Sequence, residues 1–282
     1  MILGLSLWFI AIIIIIAFIC EYMDSTLGMG YGTTLTPILL IMGYEPLQIV
    51  PVVLISEFFS GLLAGALHHK EGNVDFKLKI IRIPEIIKEL KTFGYIETLR
   101  KGLPRHLKVA LLLAMCSILG TVSAVFIALN IPKFWVALYI SILVLSMGIT
   151  IIICFNKKFH FSWKKIISLG LLASFNKGIS GGGYGPIVTS GQIFSGIEGK
   201  SAVGITSLAE GLTCAVGIIT YIFVSQNSLD LRLAPFIVMG AILSVPFSAK
   251  SVKRMTEKRL KLAIAICTII LGIFSLIKTI RG

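Results

Sequence analysis

The sequence predicts an all-α polytopic membrane protein: about ten hydrophobic segments forming two inverted-topology, five-segment repeats, with broken helices at glycine turns. Three observations predict it. Hydrophobic residues make up 56% of the 282 and charged residues 14%, where a soluble domain carries about 25% charged; mean hydropathy is +0.95. Runs such as "LWFIAIIIIIAFIC" at 7–20 lack the polar alternation of a membrane barrel strand, so the spans are helical. Finally, the chain resembles itself when displaced by 153 positions.

Apolar segments run at 5–23, 33–43, 47–69, 108–129, 134–155, 164–180, 184–197, 200–224, 231–249 and 260–278. A helix rises 1.5 Å per residue and needs roughly 20 residues to cross a ~30 Å hydrocarbon core. The segments at 33–43 and 184–197 are too short to do so alone; spanning and re-entering both stay open for them. The first segment has no basic region before it, as a secretory signal would, and is read as a retained helix. Between the third and fourth lies "IRIPEIIKELKTFGYIETLRKGLPRH". Its apolar residues recur at helical spacing among mixed charges, which predicts one amphipathic helix on the inner leaflet.

The displacement by 153 lays Gly28, Gly30, Tyr31, Gly32, Thr36, Gly43, Glu45, Val50 and Glu57 over Gly181, Gly183, Tyr184, Gly185, Thr189, Gly196, Glu198, Val203 and Glu210. A two-residue slip then aligns "NVDFKL" at 73–78 with "SLDLRL" at 228–233, and past the insertion Gly148 meets Gly272. The chain therefore divides into a first repeat, 1–155, carrying the insertion at 70–107, and a second, 156–282. Charge supplies their orientation. Of 26 basic residues, 20 fall in loops 70–108, 156–165 and 250–261, the bias of cytoplasmic loops rather than of a nucleic-acid surface. The links near 130 and 225–232 then lie outside. The expected location is the cell membrane, crossed several times, with the basic loop 70–107 cytoplasmic. Five segments per repeat with opposite loop charge means inverted topology.

Unpaired backbone survives in hydrocarbon only where it lines a cavity or is buried in protein. Glycines at 28, 30 and 32, and at 181, 182, 183 and 185, unwind a helix readily, and Pro37 and Pro186 favour a new helix start. The expected product is a half-helix whose N-terminal amides point inward and suit an anion. Two such ends would meet near mid-bilayer. Gly61 and Gly65 continue the face of Glu57 and are read instead as close-packing positions.

The stretches "GMGYGTTLTPILLIMGYEPLQIV" with "HHKEGNVDFKL", and "GISGGGYGPIVTSGQIFSGIEGKSAVG", resemble the paired motifs of the sulfite exporter TauE/SafE (TSUP) family. The resemblance covers nearly the whole chain. It implies a transporter of small anions, often sulfur-containing: sulfite, thiosulfate, sulfoacetate or other organosulfonates. The chain departs from the family pattern at Met29, where a further glycine is common, and in the long insertion at 80–106.

Ionisable groups at membrane depth are functional candidates by default. Glu57 and Glu210 each lie eleven residues into their segments and are repeat mates; Asp24 is the counterpart of Lys177, and Glu21 lies one turn before Asp24. The expected substrate-binding set is Gly28, Gly30, Tyr31, Gly32, Lys177, Gly181, Gly182, Gly183, Tyr184 and Gly185. Asp24, Glu57 and Glu210 are the candidates for proton coupling or ion pairing, because an ionised carboxylate beside a bound anion would repel it. A structural pair of Lys177 with Glu57 or Asp24 is the alternative. The expected partners are a small anion, protons and the lipid bilayer. No metal, cofactor or nucleic acid is expected, and the oligomeric state is left open.

Two rival classes compete with this reading. "GISG" at 178–181 resembles the serine turn of intramembrane rhomboid proteases, but Ser180 would need a base, and the four histidines fall at segment ends or in loops. An anion channel would also use helix ends and carbonyls, although inverted repeats with broken helices favour alternating access. The reading is therefore of a transporter and not an enzyme. The five cysteines are scattered through apolar segments without a CxxC and are read as small hydrophobes.

Overall fold

A computed structural model describes residues 6–44, 46–77, 102–128, 133–153, 155–157, 160–180, 184–224 and 231–281. The described residues form ten α-helices and no strand. In chain order these are α1 (Leu7–Leu27), α2 (Tyr31–Ile41), α3 (Pro46–Lys70), α4 (Arg105–Ala128), α5 (Lys133–Ile153), α6 (Trp163–Ser180), α7 (Tyr184–Phe194), α8 (Gly199–Val224), α9 (Ala234–Arg254) and α10 (Glu257–Arg281). By length and composition, five apolar stretches among the described residues could each cross a membrane: Leu7–Leu27, Gln48–Lys70, Gly199–Ile219, Ala234–Arg254 and Glu257–Ile280. Their outer faces carry apolar side chains such as Trp8, Ile19, Phe247 and Ile270, as a lipid-facing bundle requires. The stretch 81–106 predicted as an amphipathic helix falls outside the described residues over 81–101; its last two residues, Arg105 and His106, open α4.

The first glycine turn interrupts the helices, and α6 ends at Ser180 and α7 begins at Tyr184 on either side of the second, which lies outside the described residues. The side-chain oxygen of Ser6 accepts from the amide of Phe9 at 3.3 Å and starts α1. α1 ends at Gly28, which is left-handed at φ 72° and donates its amide to the Asp24 carbonyl at 2.6 Å. Gly30 is also at positive φ, 120°, and α2 begins at the next residue. α1 thus runs four residues beyond the predicted segment and carries Asp24 inside it, and α2 starts two residues early. α7 begins at Tyr184 with Pro186 in its first turn, where a missing amide costs nothing. Pro37, by contrast, falls at the seventh residue of α2 and not at its start. With eleven residues each, α2 and α7 are about 16 Å long, half of what a crossing needs.

Three basic loops gather at one end of the bundle. Lys253 pairs with Glu71 at 3.0 Å, Asp75 donates its amide to His106 at 3.1 Å, and the Arg105 guanidinium lies 5.0 Å from the centre of the Phe161 ring. Lys200 donates to the Lys253 carbonyl at 2.8 Å. At this end the α6–α7 hairpin opens, the amide of Ser162 donating to the Ser195 carbonyl at 3.3 Å. The α1–α2 hairpin opens at the other end, where the rings of Phe9 and Tyr44 stand 6.5 Å apart, in a core shared with Leu233 and Ala234 at the start of α9.

Helix pairing is most extensive between α5 and α10, α3 and α8, α4 and α6, and α1 and α9. Glycine makes these contacts close. A Cβ on Gly61 would stand 2.7 Å from the Ser207 carbonyl and 2.9 Å from Cα of Gly211, and one on Gly65 would meet Leu208 at 2.9 Å, so both positions pack as expected. Gly272 packs likewise on the backbone of Leu145, and Gly148 on that of Ile269.

The end of α3 is locked by His68, which is fully buried. Its Nε2 lies 2.9 Å from the Ser25 carbonyl, which can only accept. Nε2 therefore carries the proton, and Nδ1 accepts from Nδ2 of Asn73 at 3.0 Å. Asn73 donates a second bond to the Ala249 carbonyl at 2.8 Å, so one imidazole ties α1, α3 and α9. His68→Ala is expected to destabilise the fold by about 1–3 kcal/mol, the cost of leaving such groups buried and unpaired. A thermal melt in detergent checks it.

Candidate functional site

Glu57 on α3 and Glu210 on α8 approach each other because the glycines beside them bring the two backbones together: Gly61 lies one turn beyond Glu57, and Gly211 follows Glu210. Lys177, in the last turn of α6, joins the two acids. Its Nζ donates to Oε1 of Glu210 at 2.8 Å and to Oε2 of Glu57 at 3.4 Å, with side-chain exposures of 9%, 10% and 6% for the three. The ring centre of Tyr184 lies 5.2 Å from the same ammonium, near enough for its π face to favour the cation. Oε2 of Glu210 is buried and has no hydrogen-bond partner among the described residues.

Cys214 completes this contact, and the sequence reading did not place it among the site residues. Its thiol donates to Oε2 of Glu57 at 3.2 Å, and its sulfur lies 3.6 Å from Nζ of Lys177. A signal does exist: Cys214 lies four residues beyond Glu210, hence on the same helical face. It is also the repeat mate of Gly61, so the two repeats differ there at one side chain.

Two more carboxyl groups come from α1. Glu21 accepts from the hydroxyl of Ser60 at 3.0 Å. Asp24 accepts the amide of Tyr31 at 3.2 Å, while the Tyr31 hydroxyl pairs with that of Ser56 at 2.6 Å. Both acids are buried and lie within electrostatic reach of Glu57 and Glu210. Four carboxyl groups thus lie within electrostatic reach of one another, and one ammonium pairs with two of them. The site is acid-rich, where the sequence suggested helix ends that suit an anion. Like charges out of water repel by several kcal/mol per close pair, so charge balance here needs protons or another cation on the carboxyl side.

The first glycine turn touches the start of α7. A Cβ on Gly185 would stand 2.7 Å from the Gly28 carbonyl and 2.8 Å from Cα of Met29. The hydroxyl of Thr189 donates to that Gly28 carbonyl at 2.7 Å. Tyr31 and Tyr184, which open α2 and α7, are both buried, and Gly32 is partly so. Gly181, Gly182 and Gly183 lie outside the described residues. Met29 is fully buried, and its sulfur accepts from the Thr268 hydroxyl at 3.2 Å; the departure at this position is packed against α10. Of the histidines, His68 is engaged as above, His69 accepts from the amide of Phe76 at 3.2 Å and His106 from that of Asp75. The side chain of Ser180 lies outside the described residues.

A family model described as "Sulfite exporter TauE/SafE" matches residues 13–86 and 91–275. Among curated sequences, the chain is 26% identical over 257 residues to the "Probable membrane transporter protein YtnM" of Bacillus subtilis (strain 168), covering 86% of this chain and 75% of the relative. No solved structure matches.

Proposed function

The chain belongs to the sulfite exporter TauE/SafE family, and from that premise we propose that it moves small sulfur-containing anions by alternating access coupled to protons. As a member of that family, with a relative described as a membrane transporter, it is a membrane transporter. Sulfite, thiosulfate, sulfoacetate and other organosulfonates are the proposed substrates. The proposed setting is the cell membrane, with the basic loop 70–107 on the cytoplasmic side. Repeats 1–155 and 156–282 are the proposed moving units.

Two features support the inverted arrangement. The α1–α2 and α6–α7 hairpins open at opposite ends of the bundle. Exchanging every helix for the one five places along maps α5–α10 and α3–α8 onto themselves and exchanges α4–α6 with α1–α9, the four most extensive pairs. Such symmetry is what alternating access uses.

One observation carries the chemistry: the ammonium of Lys177 is shared by Glu57 and Glu210. A substrate anion competes with these carboxylates for the same cation. Protons on both glutamates release Lys177 to the anion, and departure of the anion returns Lys177 to them, so anion and protons travel together. In proteoliposomes, sulfite uptake should saturate and should rise several-fold when the outside is made acidic. In the Glu57→Gln/Glu210→Gln variant that response should vanish. A variant keeping the full response rules out coupling at these residues, and unsaturable currents of millions of ions per second favour a channel instead.

A further inference from the structure

The repeats offer two half-helix ends, and they are not alike. α2 begins at Tyr31 and α7 at Tyr184, repeat mates that each open an eleven-residue helix. Seven residues before each tyrosine stand Asp24 and Lys177, also mates. At the α2 end the Asp24 carboxylate takes the Tyr31 amide at 3.2 Å; this terminus already holds an anion, supplied by the protein. At the α7 end the mate is an ammonium over the Tyr184 ring. A second feature points the same way. Glu210 holds Lys177 with Oε1 and leaves Oε2 buried without a partner among the described residues. Once protonated, that oxygen is a donor in need of an acceptor, which an oxyanion supplies.

From this asymmetry we infer that Asp24 fills one of two pseudo-equivalent anion seats, and that the free anion takes the other. The second seat consists of the Tyr184 amide, Lys177 Nζ and protonated Glu210. The inference rests on the proposed role of Lys177 and adds to it a location and a stoichiometry. Each chain holds one oxyanion, sulfite-like or sulfonate-like, and α2 holds none. The carboxylate of Asp24 on the Tyr31 amide is the protein's own copy of the substrate's pose.

Sulfite binding to purified full-length protein, read by calorimetry, tests it. Proline is tolerated at the first residue of a helix and removes only the amide donor. Tyr184→Ala should weaken sulfite binding a few-fold through loss of the ring. Tyr184→Pro should weaken it at least tenfold further, whereas Tyr31→Pro should bind as Tyr31→Ala does. Equal affinities for Tyr184→Pro and Tyr184→Ala would overturn the seat. Wild-type protein labelled with 15N-tyrosine provides a readout free of folding effects: saturating sulfite should shift the Tyr184 amide resonance and leave that of Tyr31 in place. An unmoved Tyr184 resonance would also overturn it. Lys177→Met separates the two readings. Wild-type binding by that variant removes the proposed function along with the seat; lost binding in Lys177→Met with an unmoved Tyr184 resonance removes the seat alone.

Discussion

Lys177→Met is expected to lower sulfite flux in proteoliposomes by roughly 100-fold, the loss of about 3 kcal/mol from a charge-assisted bond. Methionine keeps the length and apolar stem of lysine and deletes only the ammonium that Glu57 and Glu210 share. Breaking a buried pair from one side ordinarily costs about 3–5 kcal/mol, because a charge is left unpaired. Here the unpaired partners are carboxylates, which can take up protons and become neutral, so the fold should survive with a lower melting temperature. Lys177→Met/Glu57→Gln/Glu210→Gln should recover that stability and remain inactive. Such a split between stability and flux is the mark of a residue that handles the anion. Undiminished flux in Lys177→Met would leave Lys177 a structural tie alone.

Much of this arrangement is legible in the sequence, for physical reasons that also mark where reading stops. Hydropathy and length report burial along one dimension, which is why the helices and the two short segments emerge close to their observed bounds. The glycines at 28 and 30 announce a break because only they adopt φ 72° and 120° without strain. The internal repeat by itself pairs Glu57 with Glu210. What it does not convey is the direction of a side chain after the turn. Asp24 reaches back to the Tyr31 amide only because α1 runs on to Leu27 and α2 starts at once. A one-dimensional pattern places Asp24 and Lys177 as counterparts, but the contacts they make differ: a helix end for one, two glutamates for the other. Cys214 does not stand out because cysteine in an apolar segment ordinarily packs as a small hydrophobe, and its polar contacts come from α3 and α6. The ties of His68 to Ser25 and of Asn73 to Ala249 are equally hidden, since each joins residues far apart in the chain.

Gly61→Val should be strongly damaging although it lies away from the charges. A Cβ at Gly61 stands 2.7 Å from the Ser207 carbonyl and 2.9 Å from both N and Cα of Gly211. These are backbone atoms, which no rotamer change moves, so α3 and α8 must part. Overpacking of this kind costs about 1–3 kcal/mol or more. The functional loss should exceed what stability alone explains. Glu57 and Glu210 ride on the two helices being separated, and an ångström of parting is enough to break a shared ammonium bonded at 2.8 and 3.4 Å. Gly65→Val presses on the side chain of Leu208 as well as its backbone, and a leucine side chain can yield part of the space. The expected order, read by fluorescence-detected size exclusion and by sulfite flux below the melting temperature, is wild type, then Gly65→Val, then Gly61→Val with flux at the level of empty liposomes. If folded Gly61→Val transports as well as Gly65→Val, the close approach of α3 and α8 is not what holds the two glutamates on one lysine.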